Sequence, residues 1–345
     1  KWASLEHFRN AKNLTDLINQ SPSLLNDFSS IKGQIIAKRA LSIAAAGLHN
    51  VLMVWAPGSG KTMLSKALPS ILPPLDFPEI LEVSQIYSVV WKLNKDQPLI
   101  TQRPFRQVHH TASKVSIIGG GTHLTPGEIS LAHKGILFFD ELTEFPREVL
   151  EVLRQPLEDS VINISRVSGT VEYPANVMFI ASMNPCKCGY YKDPEKSCSC
   201  SLSEIKRYQS KISGPLLDRI DMILEIPREK IDTLLTKSLN QSSTELRQQV
   251  IKAWKIQKDR FWKSGIQTNA MMEAKDIDHY IQLDSACKDF LSQAAERFTL
   301  SGRVIHRLLK LGRTIADMEG KDQLEVGHLM EAIHYRSKTM FVENE

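Results

Sequence analysis

Three features predict an α/β fold, a parallel sheet flanked by helices with a smaller all-α part behind it. The apolar run Asn50–Val54 leads through a glycine-rich loop into a helix starting at Thr62. Two further short apolar runs, Ile136–Phe139 and Val177–Ala181, end at Asp140-Glu141 and lead to Asn184. After Pro227 strand signals disappear, and helical spacing such as Ile305, Leu308, Leu309 and Ile315 holds from 229 to 340.

Taken in order, residues 1–30 are polar and punctuated by Ser, Asn and Pro, which reads as a linker or the tail of an absent domain. Ile35, Ile36, Ala40, Ile43, Ala44 and Leu48 fit a helix over 33–48, and Thr62–Leu68 fits the next one. Segment 84–118 reads as an insertion. Lys92, Lys95, Arg103, Arg106 and Lys114 oppose the single acid Asp96, so this segment carries +4, equal to the excess of the whole chain. A helix over Arg147–Arg154 is expected to stop at Pro156. A hairpin follows over 161–173, turning at Ser168-Gly169. The expected division is an α/β domain over 31–228 and a helical lid over 229–345.

The composition bounds the function without choosing it. The 345 residues suffice for one large core and a smaller one. A net charge of +4 is too small to diagnose a nucleic-acid binder by itself. No apolar run approaches the roughly 18 residues that a membrane helix needs, and the first residues, Lys-Trp-Ala-Ser-Leu-Glu, show no signal-peptide pattern. A cytoplasmic protein, lacking an N-terminal part, is the expectation.

The loop Ala56-Pro57-Gly58-Ser59-Gly60-Lys61-Thr62 carries the chemistry. Backbone N–H groups of Pro57–Thr62, proline excepted, would cradle phosphates at a helix N-terminus. Lys61 would reach the β- and γ-phosphates, and Thr62 would offer its hydroxyl to Mg²⁺. The full pattern wants glycine at position 55, where this chain has Trp55. Asp140 would hold Mg²⁺ and Glu141 would polarise the attacking water. Asn184 would orient that water. Arg219, in Leu216-Leu217-Asp218-Arg219-Ile220-Asp221, is a candidate arginine finger, and Arg303, in Ser301-Gly302-Arg303, a candidate nucleotide sensor.

The sequence resembles the Mg-chelatase-like AAA+ ATPases of the ComM/YifB type over nearly all of 26–340. The resemblance rests on Arg103-Pro104-Phe105-Arg106, His109-His110-Thr111, Pro126-Gly127-Glu128-Ile129-Ser130-Leu131-Ala132-His133, Val152-Leu153-Arg154-Gln155-Pro156-Leu157-Glu158-Asp159, Met183-Asn184-Pro185-Cys186 and Ser213-Gly214-Pro215-Leu216-Leu217-Asp218-Arg219. It implies ATP and Mg²⁺ as cofactors, a homo-oligomeric ring with six subunits, Arg219 as a finger acting in trans, Asn184 as sensor 1 and Arg303 as sensor 2. It also implies a DNA helicase promoting branch migration in natural transformation, and an N-terminal Lon-like domain that this sequence lacks. Trp55 and Trp91 both stand where such proteins tend to have glycine. One reading is UGA decoded as Trp for an organism that reads it as Gly; another is an altered site with weaker nucleotide affinity.

A translocating ring needs cations for phosphate rather than base readers. Lys95, Arg103, Arg106 and Lys114, with Arg166 near the hairpin tip, are the candidates for sequence-nonspecific DNA contact. His109-His110 is expected to pack rather than bind metal, because neighbours on a strand face opposite ways. Cys186, Cys188, Cys198 and Cys200 place four thiols around a nine-residue excursion, a spacing that suits Zn²⁺ in a reducing compartment. Cys287, in helical surroundings, is expected to be buried. Two other uses of the same engine remain open: a chelatase-like remodeller of a protein or metal-loading partner, and a non-hydrolysing nucleotide-binding scaffold.

Overall fold

The computed structural model describes residues 27–55, 60–93, 98–121, 124–166, 169–226, 241–336 and 341. Nine strands are present among them: β1 (Val51–Trp55), β2 (Phe105–Val108), β3 (Gly119–Gly120), β4 (Thr125–Pro126), β5 (Ile136–Phe139), β6 (Val161–Arg166), β7 (Gly169–Pro174), β8 (Met178–Met183) and β9 (Met222–Ile226). Five form one parallel sheet in the order β2-β5-β8-β1-β9. β6 and β7 form the expected antiparallel hairpin, whose turn at 167–168 lies outside the described residues.

Strand alternation divides the core between the two faces of the sheet. Met53, Trp55, Phe138 and Ile180 point to one side, against the helix Ile35–Gly47. Leu52, Val54, Phe139 and Phe179 point to the other, against Leu142, Val149 and Leu216. The long helices Ser243–Arg260 and Gly302–Glu319 send Leu246, Val250, Leu308 and Ile315 into the first of these cores. A separate helical core holds Phe261, Ile277, Leu291 and Cys287, the last fully buried as expected.

Several expectations need correction. Phe28, at the end of the stretch read as a linker, is fully buried, and its N–H donates to Ser243 Oγ at 2.9 Å; residues 1–26 lie outside the described set. Pro156 does not merely stop a helix. The helix Arg147–Val152 ends before it, and Pro156 occupies the first turn of a new one, Pro156–Asp159, where its missing N–H costs nothing. Segment 84–118 supplies the sheet's edge strand β2 and so is built into the sheet. This edge docks because Gly135 has no side chain: a Cβ there would lie 2.0 Å from the Pro104 carbonyl oxygen that accepts the Ile136 N–H at 2.8 Å. The boundary at 228 falls outside the described residues.

The amino ends of β1, β8 and β9 are locked by Asn50 and Asp221. Asn50 Oδ1 accepts from Phe179 N, its Nδ2 donates to Arg219 O, and its carbonyl accepts from Asp221 N and Met222 N. Asp221 Oδ2 accepts from Asn50 N at 2.9 Å, and Oδ1 accepts from Arg307 of the helix Gly302–Glu319. Burial would raise this carboxyl's pKa, but Arg307, His49 and the Asn50 amide hold it well below the usual carboxylate range. Arg336 donates to Ile220 O, Tyr335 O accepts from Ile223 N at 2.6 Å, and Trp254 and Gln257 donate to Ala45 O and Ala46 O.

Trp91 sits just after the helix Phe77–Val89, 92% exposed and with φ of +54°. That left-handed position is one that glycine fills without Cβ strain. Trp91→Gly is expected to raise unfolding free energy by about 1 kcal/mol in urea titrations. Asp221→Asn is expected to lower it by about 3 kcal/mol at pH 7, since Arg307 is left without its partner. A depressed folded pKa stabilises above the unfolded value near 4, and that contribution fades as pH falls below it. The difference between wild type and variant should therefore shrink in titrations repeated in that acid range.

Candidate functional site

The carboxyl ends of β1, β5 and β8 converge, and Lys61, Asp140, Glu141 and Asn184 of the expected nucleotide residues meet there. Gly60 takes φ of +85° at the entry to the helix Lys61–Ala67. Lys61 Nζ donates to Asn184 Oδ1, so the two loops are in contact. Burial lowers the Lys61 pKa, while Asp140 and Glu141 pull it back up. Asp140 Oδ1 accepts from Ser182 Oγ at 2.5 Å, and Ser182 Oγ in turn accepts from Glu141 N at 3.2 Å. Ser182, fully buried on β8, thus fixes the acidic pair from the neighbouring strand. Pro57, Gly58 and Ser59 lie outside the described residues.

Glu141 has φ 54° and ψ 53°, a left-handed backbone that a glutamate adopts at a cost of order 1 kcal/mol. Its half-exposed carboxylate lies 4.0 Å from His110 Nδ1. The two histidines depart from the strand geometry expected of them. β2 ends at Val108, and in the turn that follows the rings of His109 and His110 lie side by side, 4.1 Å between centroids. The motif reading gives His110 no place at the site; its position after an edge strand beside β5 becomes visible only from the sheet order.

The described residues could hold Mg²⁺ through oxygen donors alone. Asp140 keeps one carboxylate oxygen beyond its bond to Ser182, and Thr62 lies on the first turn of the loop's helix. Trp55 ends β1 fully buried, with its indole N–H unpaired among the described residues. An unmade bond of that kind costs about 1–3 kcal/mol, and it lies at the residue that departs from the loop pattern.

Arg219 and Arg303 do not reach this edge. They line a separate cleft of about 160 Å³ with Glu158, His306, Arg307 and Lys310, at the amino end of β9. One strand length, five residues at about 3.3 Å each, separates the two edges. Arg219 donates to Arg154 O at 2.8 Å and Pro215 O at 2.7 Å, and pairs with Glu158. Its pKa is lowered by burial and by the neighbouring cations Arg154, Arg303 and Arg307. Arg303, Arg307 and Lys310 recur at successive turns of one helix, a spacing that marks the cleft once the helix is known to face the sheet edge.

The DNA candidates separate in the structure. Arg103 is withdrawn: it is buried, and its guanidinium is occupied by Glu79 at 2.8 Å and the carbonyls of Pro73, Pro74 and Lys134. Arg106 is likewise bound at both ends of its fork by Glu128, at 2.6 and 2.8 Å. Lys114 is exposed beside the Ser113 cap. Lys95 and the Arg166 side chain lie outside the described residues.

The four cysteine sulfurs lie within 4.8 Å of one another, following Asn184 by two residues. The distances are 3.3 Å for Cys186–Cys188, 3.7 Å for Cys186–Cys198 and 3.5 Å for Cys188–Cys198. For Cys188, burial is outweighed by backbone N–H bonds from Tyr190 and Ser199, which bring the thiol down to about 6.

A family model described as magnesium chelatase, subunit ChlI, matches residues 27–234, and the model of its C-terminal part matches 240–336. Competence protein ComM of Haemophilus influenzae is 40% identical over 335 residues, covering 94% of this chain and 63% of that protein. The protein YifB of Salmonella typhimurium is 42% identical over 320 residues, 92% of this chain and 62% of its own. Magnesium-chelatase subunit ChlI of Cyanophora paradoxa is 21% identical over 335 residues, 89% and 88% of the two chains. The chain thus spans a little over three fifths of the length of ComM and YifB.

Arg103→Ala is expected to cost about 3 kcal/mol, because Glu79 is left buried and unpaired. Lys114→Ala should change stability by less than about 0.5 kcal/mol, and parallel denaturation curves compare the two.

Proposed function

The chain belongs to the Mg-chelatase-like AAA+ family in its ComM/YifB branch, and from that premise we propose that it is an ATP-hydrolysing ring motor acting on DNA. The observation that carries this reading is the separation of the two half-sites. Lys61, Asp140, Glu141 and Asn184 share one sheet edge, while Arg219 and Arg303 share the opposite one. A closed ring brings the second set of one subunit to the first set of the next; six subunits is the ring size we adopt.

In that arrangement the amides from Gly60 onward hold phosphate and Lys61 transfers its ammonium from Asn184 to the β- and γ-phosphates. Asn184, so released, orients a water, and Glu141 accepts hydrogen bonding from it to sharpen its attack. Arg219 and Arg303 of the neighbour stabilise the charge that develops on the transferred group. Thr62 and, through water, Asp140 would hold Mg²⁺, which would neutralise phosphate charge.

DNA is the proposed substrate track, contacted through phosphate without base reading, in recombination of the sort that the name competence protein suggests for ComM. Lys114, Lys95 and Arg166 remain the proposed contacts. The alternative, a remodeller of a protein or metal-loading partner, is favoured by the withdrawal of Arg103 and Arg106 from the free cations and by the likeness to chelatase subunits. Zn²⁺ is the metal proposed for the cysteine quartet. A cytoplasmic location goes with the same reading; no described helix is long and apolar enough to cross a membrane.

Lys61→Ala and Glu141→Gln are each expected to cut ATP turnover by about 100-fold or more. Arg219→Ala should do the same, and mixing it with Glu141→Gln should restore part of the activity, because some interfaces then receive both intact halves. No recovery on mixing would sink the shared site. Turnover that ignores single-stranded and branched DNA, with no DNA binding at low salt, would count for the remodeller.

A further inference from the structure

The loop from Cys186 to Cys200 has no regular secondary structure, yet it is tied at both ends to the catalytic edge. At its start, Asn184 and Pro185 leave β8, and Gln209 Nε2 donates to Pro185 O at 2.8 Å. At its end, Ser201 caps the helix Leu202–Gln209 through a reciprocal bond pair with Glu204. That helix carries Tyr208, whose hydroxyl meets Thr143 Oγ1 at 2.5 Å in the turn after Glu141, and Lys211 just beyond it donates to Thr143 O at 2.8 Å. The loop therefore connects the residue that would orient water to the turn that would activate it.

Its interior is built for a cation. Four sulfurs at Zn–S bond lengths of about 2.3 Å from one tetrahedral ion lie about 3.8 Å apart, and the three short separations here are 3.3–3.7 Å. Backbone N–H groups turn toward the sulfurs, Gly189 and Tyr191 toward Cys186 and Tyr190 and Ser199 toward Cys188. Two of the loop's lysines, Lys192 and Lys196, lie over the rings of Tyr191 and Tyr190. Soft sulfur donors in a tetrahedral set select zinc over the oxygen-seeking Mg²⁺ of the nucleotide site.

We infer that Cys186, Cys188, Cys198 and Cys200 bind one structural Zn²⁺, and that this ion holds Asn184 and the Glu141 turn in mutual register. The second half rests on the hydrolytic roles proposed for Asn184 and Glu141. Binding the ion replaces the conformational entropy of a 15-residue loop with four metal bonds.

Elemental analysis of the chain purified without chelator is expected to give one zinc per chain. Cobalt substituted for zinc should show the charge-transfer and ligand-field bands of four thiolates. Cys188→Ser and Cys198→Ser should each lose most of the metal. Stripping zinc from the wild-type chain, which avoids any folding defect of the variants, should raise amide hydrogen exchange at 182–188 and 141–145. Turnover should fall about tenfold with ATP affinity within about twofold, and both effects should reverse on adding zinc back. Absence of zinc, iron in its place, or a cobalt spectrum of fewer thiolates overturns the site. Unchanged exchange on stripping, or full turnover in the metal-free chain, overturns the coupling. A zinc-loaded chain whose exchange responds but which never hydrolyses ATP leaves this inference standing and removes the ATPase reading.

Discussion

One buried carboxylate, Asp221, sets the geometry on which the rest depends. Its two oxygens join the amino ends of β1 and β9 to Arg307 of the long C-terminal helix, and His49 packs against it from the end of the first helix. With Asn50 binding β8 in the same knot, three strands start in fixed register. Because strands in parallel register end together, Lys61, Asp140 and Asn184 are delivered to one edge. The same ion pair holds the cleft of Arg219 and Arg303 at the other edge. A single interaction thus places both halves of the candidate site, and it does so from the end remote from the nucleotide loop.

Much of this is legible in the sequence, for physical reasons. Ile136–Phe139 and Val177–Ala181 are short continuous apolar runs because their strands are covered on both faces, and the residues that follow each run emerge at the same edge. Lys61, Asp140, Glu141 and Asn184 can therefore be grouped from the order of apolar runs and loops alone. The division between Arg219 and Arg303 on one side and Lys61 on the other cannot be read this way, since it depends on where the helices after 241 pack. Those helices signal only that they are amphipathic. Which face of the sheet they cover is decided by contacts such as Trp254 to Ala45 O, between residues more than 200 positions apart.

The basic segment shows the opposite failure. Its charge excess is plain in the composition, but charge counts do not reveal partners. Glu79 precedes Arg103 by 24 residues and Glu128 follows Arg106 by 22, so their pairing is invisible in any local window. A buried guanidinium with several carbonyl acceptors acts as a clamp on β2 and the loops around it. The tryptophans differ in a similar way. Trp55 departs from a motif that can be read, whereas the strain at Trp91 follows from a left-handed turn seen only in the backbone.

The sharing of one hydrophobic core between the sheet and the C-terminal helices has a mechanical consequence. An appendage joined by a free hinge can swing while its own sheet stays still. Here Leu246, Val250, Leu308 and Ile315 are embedded beside Met53 and Ile180, and polar bonds reinforce the seam. Opening it would expose a large apolar area at about 25 cal/mol per Å². The chain is therefore one stiff body, and in the ring proposed above strain generated in one copy would have to be relieved by displacement against the next.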